Sequence, residues 1–312
     1  MSRPKVLLTR RIPSSALATL EAACDVDRNE GDPLSPDGLM RRIRGKQGIV
    51  CLLTDAITAE VMDAGSELKV ISNVAVGYNN IDVPAARQRG ITVTNTPDVL
   101  TDATADLTWA LIMDITRRVS EGDRLVRRGA WKGWALDFMV GNGLRGKTLG
   151  IVGFGRIGRA VASRAEAFGM TVAYSDVFAT PGSGAIPIDR LLATSDIVSI
   201  HCPLTPETTH LINQASLARM KRSAYLINTS RGPVVDEKAL AWALKNGIIS
   251  GAALDVYEEE PAVHPDLLTL ENVVLAPHLG SATTETRTAM ADLAVRNVIA
   301  VLTGQPPITP VP

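Results

Sequence analysis

The chain of 312 residues carries 32 basic and 33 acidic side chains, a formal net charge of −1, and 46% hydrophobic residues. That length admits two domains with sizeable cores, while the balanced charge, without a run of either sign, offers no footing for nucleic acid or an anionic membrane surface. Three cysteines (Cys24, Cys51, Cys202) are odd in number, lack metal-ligand spacing and adjoin apolar segments, so small core residues in a reducing cytoplasm are expected, and no metal.

The amino-terminal MSRPKVLLTRR has only a four-residue uncharged run, Val6 to Thr9, between charges, too short for the core of a signal peptide. No uninterrupted apolar stretch is long enough to span a bilayer. Lys5 to Thr9 reads as a first strand, followed by a helix capped by Ser14 or Ser15 and running to about Cys24. Asn29 to Pro36 reads as a loop. Strands are expected at Gly48–Thr54, Lys69–Ala75 and Ile91–Thr94, with short helices at Thr58–Ala64 and Val83–Arg89 between them. This is one alternating α/β layer without a phosphate loop of its own.

Thr96-Pro97 breaks the pattern, and one long helix is expected from about Thr101 to Arg128. Between Ala105 and Ile115 it is apolar nearly all round, which requires burial on several sides, between domains or in a subunit contact. Gly129 to Gly146 reads as a connector. Its Trp131, Trp134 and Phe138 are read either as loop packing or as neighbours of a substrate mouth.

The stretch from Leu149 to Asp176 organises the second half. A short apolar strand turns through Gly153-Phe154-Gly155-Arg156-Ile157-Gly158 into a helix, and a second strand ends in Ser175-Asp176. In such a unit the first glycine permits the tight turn, the second lets the backbone approach a pyrophosphate, and the third lets helix and strand pack closely. The helix N-terminus offers unpaired N–H groups to the phosphates. Asp176, eighteen residues after Gly158, falls where an acceptor for the adenosine ribose is needed, and a carboxylate there repels a 2′-phosphate. NAD(H) is therefore expected in preference to NADP(H). Further strands at Ile197–Cys202, Ala224–Asn228, Ala252–Val256 and Val273–Ala276 complete an open parallel sheet with helices between. A last helix, about Thr283 to Thr303, follows the cofactor strands and is expected to cross back to the first domain; the proline-rich tail beyond it cannot be helical.

Ligands of open α/β sheets lie beyond the carboxyl ends of the strands. Those ends carry His201-Cys202-Pro203, Thr229-Ser230-Arg231-Gly232, Asp255 with Glu258-Glu259-Glu260-Pro261, and Pro277-His278-Leu279-Gly280. An arginine, carboxylates and histidines there suit reduction of a 2-oxo acid. That reaction needs a hydride from a nicotinamide, a proton for the carbonyl oxygen and a cation for the carboxylate. Histidine can exchange the proton near neutrality and arginine can grip a carboxylate through two hydrogen bonds. From the residues alone either His201 or His278 fits the acid, and any of three consecutive glutamates fits its partner. His210 and His264 lie in polar loops and read as solvated surface residues.

Taken together, NVAVGYNNID (73–82), NTPDVLTDATAD (95–106), VGFGRIG (152–158), NTSRGPVVDE (228–237), LDVYEEEP (254–261) and APHLGSAT (276–283) resemble the D-isomer-specific 2-hydroxyacid dehydrogenase family along essentially the whole chain, most of all its glyoxylate/hydroxypyruvate reductases. The resemblance implies an α/β fold of two Rossmann-like domains with doubly wound parallel sheets. A flavodoxin-like substrate domain (1–98 and 285–312) would close across a cleft on an NAD-binding domain (99–284), and homodimers would form through the latter and its long helix. It implies Arg231 as the substrate-binding cation, Glu260 as partner of the acid–base residue His278, and backbone amides of Val76 and Gly77 as further carboxylate donors. It places Thr104, Gly153, Gly155, Arg156, Ile157, Gly158, Asp176, His201, Cys202, Pro203, Thr208, Thr229, Ser230, Asp255 and Gly280 at the cofactor. NADP-preferring relatives look basic after the second strand, where this chain has Ser175-Asp176-Val177-Phe178. The expected activity is reduction of glyoxylate or hydroxypyruvate to glycolate or D-glycerate. The competing readings are reduction of another 2-oxo acid, such as 2-ketogluconate or 3-phosphohydroxypyruvate, and an NAD-sensing corepressor on the same fold.

Overall fold

A computed structural model describes residues 3–180 and 182–312. It divides into two compact units, Met1–Leu100 with Ala282–Pro312, and Thr101–Ser281. Among the described residues no helix is long and apolar enough to cross a membrane.

The first unit runs β1 (Lys5–Leu8), α1 (Ser14–Ala23), β2 (Asp25–Arg28), α2 (Pro36–Arg42), β3 (Gly48–Cys51), α3 (Ala59–Ala64), β4 (Val70–Asn73), α4 (Val83–Gln88) and β5 (Thr92–Thr94). Its strands lie in the order β2-β1-β3-β4-β5, all parallel, which is the flavodoxin-like winding. Two elements depart from the sequence reading. Strand β2, DVDR, is an edge strand without an apolar residue on alternate positions to announce it. Helix α2 begins inside the stretch read as loop. Ser35 accepts the Gly38 N–H, Pro36 sits in the first turn, and Arg41 and Arg42 face the negative end of the helix dipole. Helix α1 starts at Ser14, but neither Ser14 nor Ser15 caps it; Pro13 occupies the cap position and no side chain bonds there.

The second unit follows with α5 (Thr101–Arg117), α6 (Val119–Arg127), β6 (Thr148–Val152), α7 (Arg156–Ala165), β7 (Thr171–Ser175), α8 (Ile188–Thr194), β8 (Ile197–Ile200), α9 (Gln214–Arg219), β9 (Tyr225–Asn228), α10 (Glu237–Lys245), β10 (Gly251–Leu254) and β11 (Val273–Leu275). Its strands are again parallel throughout, ordered β11-β10-β9-β8-β6-β7. Strand order reverses between β6 and β8, which makes that point the ligand crevice of such a sheet. Apolar cores cover both faces, one against α8, α9 and α10 and the other against α5 and α7. All three cysteines are buried and free.

The helix expected from Thr101 to Arg128 is two helices. Arg118 takes a left-handed conformation (φ 57°) and breaks it. Asp114 then caps the start of α6 through the Ser120 N–H and hydroxyl, and Arg118 pairs with Glu121. The apolar run in α5 is satisfied largely inside its own unit. Trp109 stacks on Phe168 at 4.3 Å and donates its indole N–H to the Val161 carbonyl, and Ile112 and Ile115 are buried. Ala105, Trp109, Leu111, Ile112 and Ile115 are thus buried within the unit, while Leu107 and Met113 are half-buried. The aromatics of the connector are largely exposed, and Trp131 donates its indole N–H to the Gly133 carbonyl within the same segment. Trp131 is 54% and Trp134 80% exposed, and Asn142, just beyond, bonds the Tyr225 hydroxyl at the amino-terminal end of β9.

The last helix, α11 (Thr284–Leu302), packs in the first unit on α1 and β4, where Ser72 donates to the Ala294 carbonyl at 2.9 Å. Buried Asn297 fixes the tail beyond it. Its carboxamide oxygen accepts the Ile308 and Thr309 N–H groups and its amino group donates to the Thr309 hydroxyl.

Candidate functional site

The turn after β6 lies at the switch point. Gly153 has φ 90°, and a Cβ there would stand 2.5 Å from the Cys202 amide nitrogen, so only glycine lets the ends of β6 and β8 approach this closely. A Cβ on Gly158 would meet the Gly153 carbonyl oxygen at 2.2 Å, whereas one on Gly155 would meet nothing. Open space thus lies where α7 begins and its first N–H groups are exposed, and Arg156 and Ile157 are the first two residues of that helix. Asp176 accepts the Phe154 N–H at 2.6 Å on one oxygen and the Phe178 N–H at 2.8 Å on the other. Each carboxylate oxygen keeps capacity for a further donor. A recess of about 410 Å³ opens beside it, lined by Ser175, Asp176, Thr180 and Ile186 among others. Amides and helix dipole at the turn, a carboxylate at the next strand end and a recess beside it fit the pyrophosphate and adenosine ribose of a dinucleotide.

After β8, Thr208 closes the loop by donating to the Pro203 carbonyl at 2.7 Å and accepting the Thr205 N–H. His201 turns inward. Its Nε2 lies 2.8 Å from the Ser199 hydroxyl, and burial pushes its pKa down to about 3, so it is neutral and shielded. Cys202 is also buried, and its thiol is pushed up to about 11 by desolvation. After β9, Asn228 shapes the loop that presents Arg231. Its side chain accepts from the Ser230 N–H and hydroxyl and donates to the Arg231 carbonyl. The Thr229 hydroxyl lies 2.9 Å from that of Thr108. A Cβ on Gly232 would lie 1.8 Å from the Tyr257 carbonyl group, so this glycine brings the Arg231 loop directly against the loop that follows β10.

That second loop carries Glu260. Of the three consecutive glutamates, Glu258 reaches His210, at 3.0 Å, and Glu260 reaches His278, with Oε2 2.8 Å from Nδ1. His210 is exposed yet partnered, which the sequence reading as a solvated surface residue did not anticipate. Burial works to raise the Glu260 carboxyl. Its hydrogen bond and charge attraction to His278, the Tyr257 N–H and the Arg231 charge outweigh that, so its pKa falls below the ordinary 4.5. Burial also lowers Arg231, against the opposing charge of Glu260. Arginine, carboxylate and imidazole therefore lie within one another's field.

His278 itself has φ 54°, a left-handed conformation uncommon outside glycine. The fold imposes it through Asp255, whose two oxygens accept the Leu279 N–H at 2.6 Å and the Gly280 N–H at 2.8 Å, while its carbonyl accepts the His278 N–H. The Thr104 hydroxyl donates to the Gly280 carbonyl and completes the anchor. With Nδ1 taken by Glu260, Nε2 is the imidazole nitrogen left for other chemistry. The anchoring work of Asn228 and Asp255 is not visible in the residues taken singly. The one local signal is the Asn-Thr-Ser order, which suits an Asx turn. Val76 and Gly77 lie in the first unit, in a loop whose carbonyls accept from Asn95 and Asn73.

Residues 109–280 match the family described as D-isomer specific 2-hydroxyacid dehydrogenase, NAD binding domain. The chain is 53% identical over 319 residues to a glyoxylate reductase of Thermofilum pendens, covering 98% of this chain and 94% of that protein. The TT0316 protein of Thermus thermophilus superposes with a TM-score of 0.94 at 47% identity, covering 99% of this chain and 100% of that one. An NADPH-dependent glyoxylate/hydroxypyruvate reductase of Sinorhizobium meliloti, in complex with NADP and malonate, gives 0.90 at 36% identity, covering 99% and 97%.

The lowered pKa of Glu260 fixes the sign of a pH dependence. A carboxyl whose folded pKa lies below its unfolded one contributes stability that is whole above the unfolded value and is lost as pH falls through the folded value. The unfolding free energy of the wild type minus that of Glu260→Gln, from urea melts, is expected to be level near neutrality and to shrink as pH falls below the ordinary 4.5. A difference that stays constant from about pH 7 to about pH 3 contradicts the assignment.

Proposed function

The chain belongs to the D-isomer-specific 2-hydroxyacid dehydrogenase family, and on that premise we propose that it is a glyoxylate/hydroxypyruvate reductase that prefers NAD(H) and works as a homodimer. It is an oxidoreductase acting on 2-hydroxy acids. The observation that carries the reading is the Glu260–His278 pair at 2.8 Å beside Arg231, on the sheet edge that also bears the glycine turn. When bound, a reduced nicotinamide supplies the hydride for C2 of the substrate. Arg231 takes the substrate carboxylate in its fork. This fixes which face of the carbonyl is reduced and hence, with hydroxypyruvate, the D configuration of glycerate. His278, through Nε2, gives its proton to the carbonyl oxygen as negative charge develops there. Glu260 orients the ring and balances the imidazolium charge. In the reverse direction the neutral imidazole takes the hydroxyl proton.

Small 2-oxo acids such as glyoxylate suit a site built on a guanidinium and an imidazole, and the relatives named above support that class. His278→Ala is expected to lower kcat for glyoxylate by about 10²- to 10⁴-fold while NADH still binds. Turnover near wild type contradicts the role given to His278.

NAD(H) preference is supported by Asp176, held by two backbone N–H groups where a 2′-phosphate would meet its charge. The Sinorhizobium meliloti reductase is NADPH-dependent, so preference differs among relatives of this fold. kcat/KM is expected to be higher with NADH than with NADPH, and Asp176→Ala to narrow the gap. Equal or better kcat/KM with NADPH in the wild type contradicts it.

The homodimer is supported by exposed apolar side chains on α6 and the connector, Val126, Trp131, Trp134, Leu136 and Val140, each more than half exposed. Such a cluster is costly to leave in water and marks a contact surface. Sedimentation equilibrium is expected to give a dimer for the wild type and a monomer for Trp134→Asp combined with Leu136→Asp; a monomeric wild type contradicts the proposal.

A further inference from the structure

Glu237 is 5% exposed, and the chemistry described above makes no use of it. It is the first residue of α10, but that helix start does not need it as a cap, because Asp236 accepts the Ala239 N–H at 2.9 Å. The Glu237 carboxylate is directed instead at the loop after β10. One oxygen accepts the Glu258 N–H at 2.6 Å and the other the His264 N–H at 3.0 Å. These two amides bracket residues 259–263, the segment that carries Glu260. The contact is reciprocal, since Glu258 accepts the Glu237 N–H at 2.6 Å on one oxygen and faces His210 with the other. Beyond the loop, the Tyr257 hydroxyl donates at 2.9 Å to the carbonyl of Ala276, two residues before His278. The segment is thus tied at both of its ends and to the strand that delivers the histidine.

Burying a carboxylate is unfavourable unless its oxygens are hydrogen-bonded, and an apolar side chain fills such a space without that cost. What a carboxylate does there and an apolar residue cannot is accept two backbone N–H groups through short, charge-assisted bonds. Glutamate suits the task because both oxygens sit at the end of one side chain, so two amides six residues apart are fixed relative to each other.

We propose that Glu237 is a positioning residue for the Glu260–His278 pair: its buried carboxylate clamps both ends of the Glu260 loop and so sets the aim of Glu260 at Nδ1 of His278. The inference rests on reading that pair as the acid–base couple of a 2-oxo-acid reductase. Glu237 touches neither substrate nor cofactor and acts only through the loop.

Glu237→Gln keeps the volume and one acceptor, but turns an amide N–H₂ toward one of the two backbone N–H groups. It is expected to lower kcat for glyoxylate by about 10- to 100-fold, the penalty of misplacing a catalytic group by up to about 1 Å. The NADH dissociation constant, measured by fluorescence titration, is expected to stay at the wild-type value, because the glycine turn and Asp176 are untouched. The decisive readout is a double-mutant cycle. In a Glu260→Gln background the further change Glu237→Gln is expected to leave kcat where it is, since the group it positions is already gone. Glu258→Gln, which loosens the reciprocal side of the clamp, is expected to show the same dependence on Glu260 and stands in if Glu237→Gln does not fold. Wild-type kcat in Glu237→Gln, or losses that multiply with that of Glu260→Gln, overturn the proposal and leave Glu237 a structural residue. A wild-type chain that turns over no 2-oxo acid overturns the reading of the couple itself, and the clamp with it.

Discussion

Every strand of the second unit runs in the same direction, and that single constraint gathers the chemistry. Parallel pairing brings the carboxyl ends of β6, β8, β9, β10 and β11 to one edge, so five loops distant in sequence open side by side. Strand order reverses between β6 and β8, and the glycine turn fits there because Gly153 has no side chain to strike Cys202. The reversal makes the crevice; the glycines keep it open for a phosphate.

On that edge the reactive groups are aimed by backbone anchors. Asp255 offers both oxygens to the His278 turn, Asn228 folds the Arg231 loop over itself, and Gly232 lets that loop rest on the Tyr257 backbone. Each is a buried polar or glycine position whose replacement would leave donors unpaired or atoms overlapping. The Glu260–His278 hydrogen bond is the outcome of these contacts. Neither residue carries a local feature that would hold the pair together alone, and the left-handed backbone of His278 persists only because its surroundings impose it.

Legibility in the sequence follows the range of the interactions. The dinucleotide unit could be read directly because its logic is local: a strand, three glycines, a helix and an acid at fixed spacing. Strand ends could be read as well, so Arg231, the histidines and the glutamates surfaced as candidates from position alone. Choosing between His201 and His278, or among three adjacent glutamates, could not be done from the residues. That choice is made by packing across the sheet, where Ser199 and burial draw His201 inward while Asp255 and Tyr257 bring His278 and Glu260 face to face. The break at Arg118 is not legible in the sequence because a left-handed arginine leaves no glycine to mark it, nor is β2, because an edge strand of charged and valine residues has no alternation to detect. The apolar run of α5 was legible as buried but not as to where. Trp109 finds Phe168, nearly sixty residues away, and no periodicity within the helix points to it.

The central claim is that one imidazole, one guanidinium and one carboxylate act together on a 2-oxo acid at the nicotinamide end of the sheet edge. A crystal structure of the chain with NAD(H) and oxamate, an unreactive analogue of such acids, tests it most directly. The account predicts the oxamate carboxylate on the Arg231 guanidinium and its carbonyl oxygen within hydrogen-bonding distance of His278 Nε2, with Glu260 still on Nδ1. Oxamate held by other residues, or bound with its carbonyl turned away from His278, would contradict it.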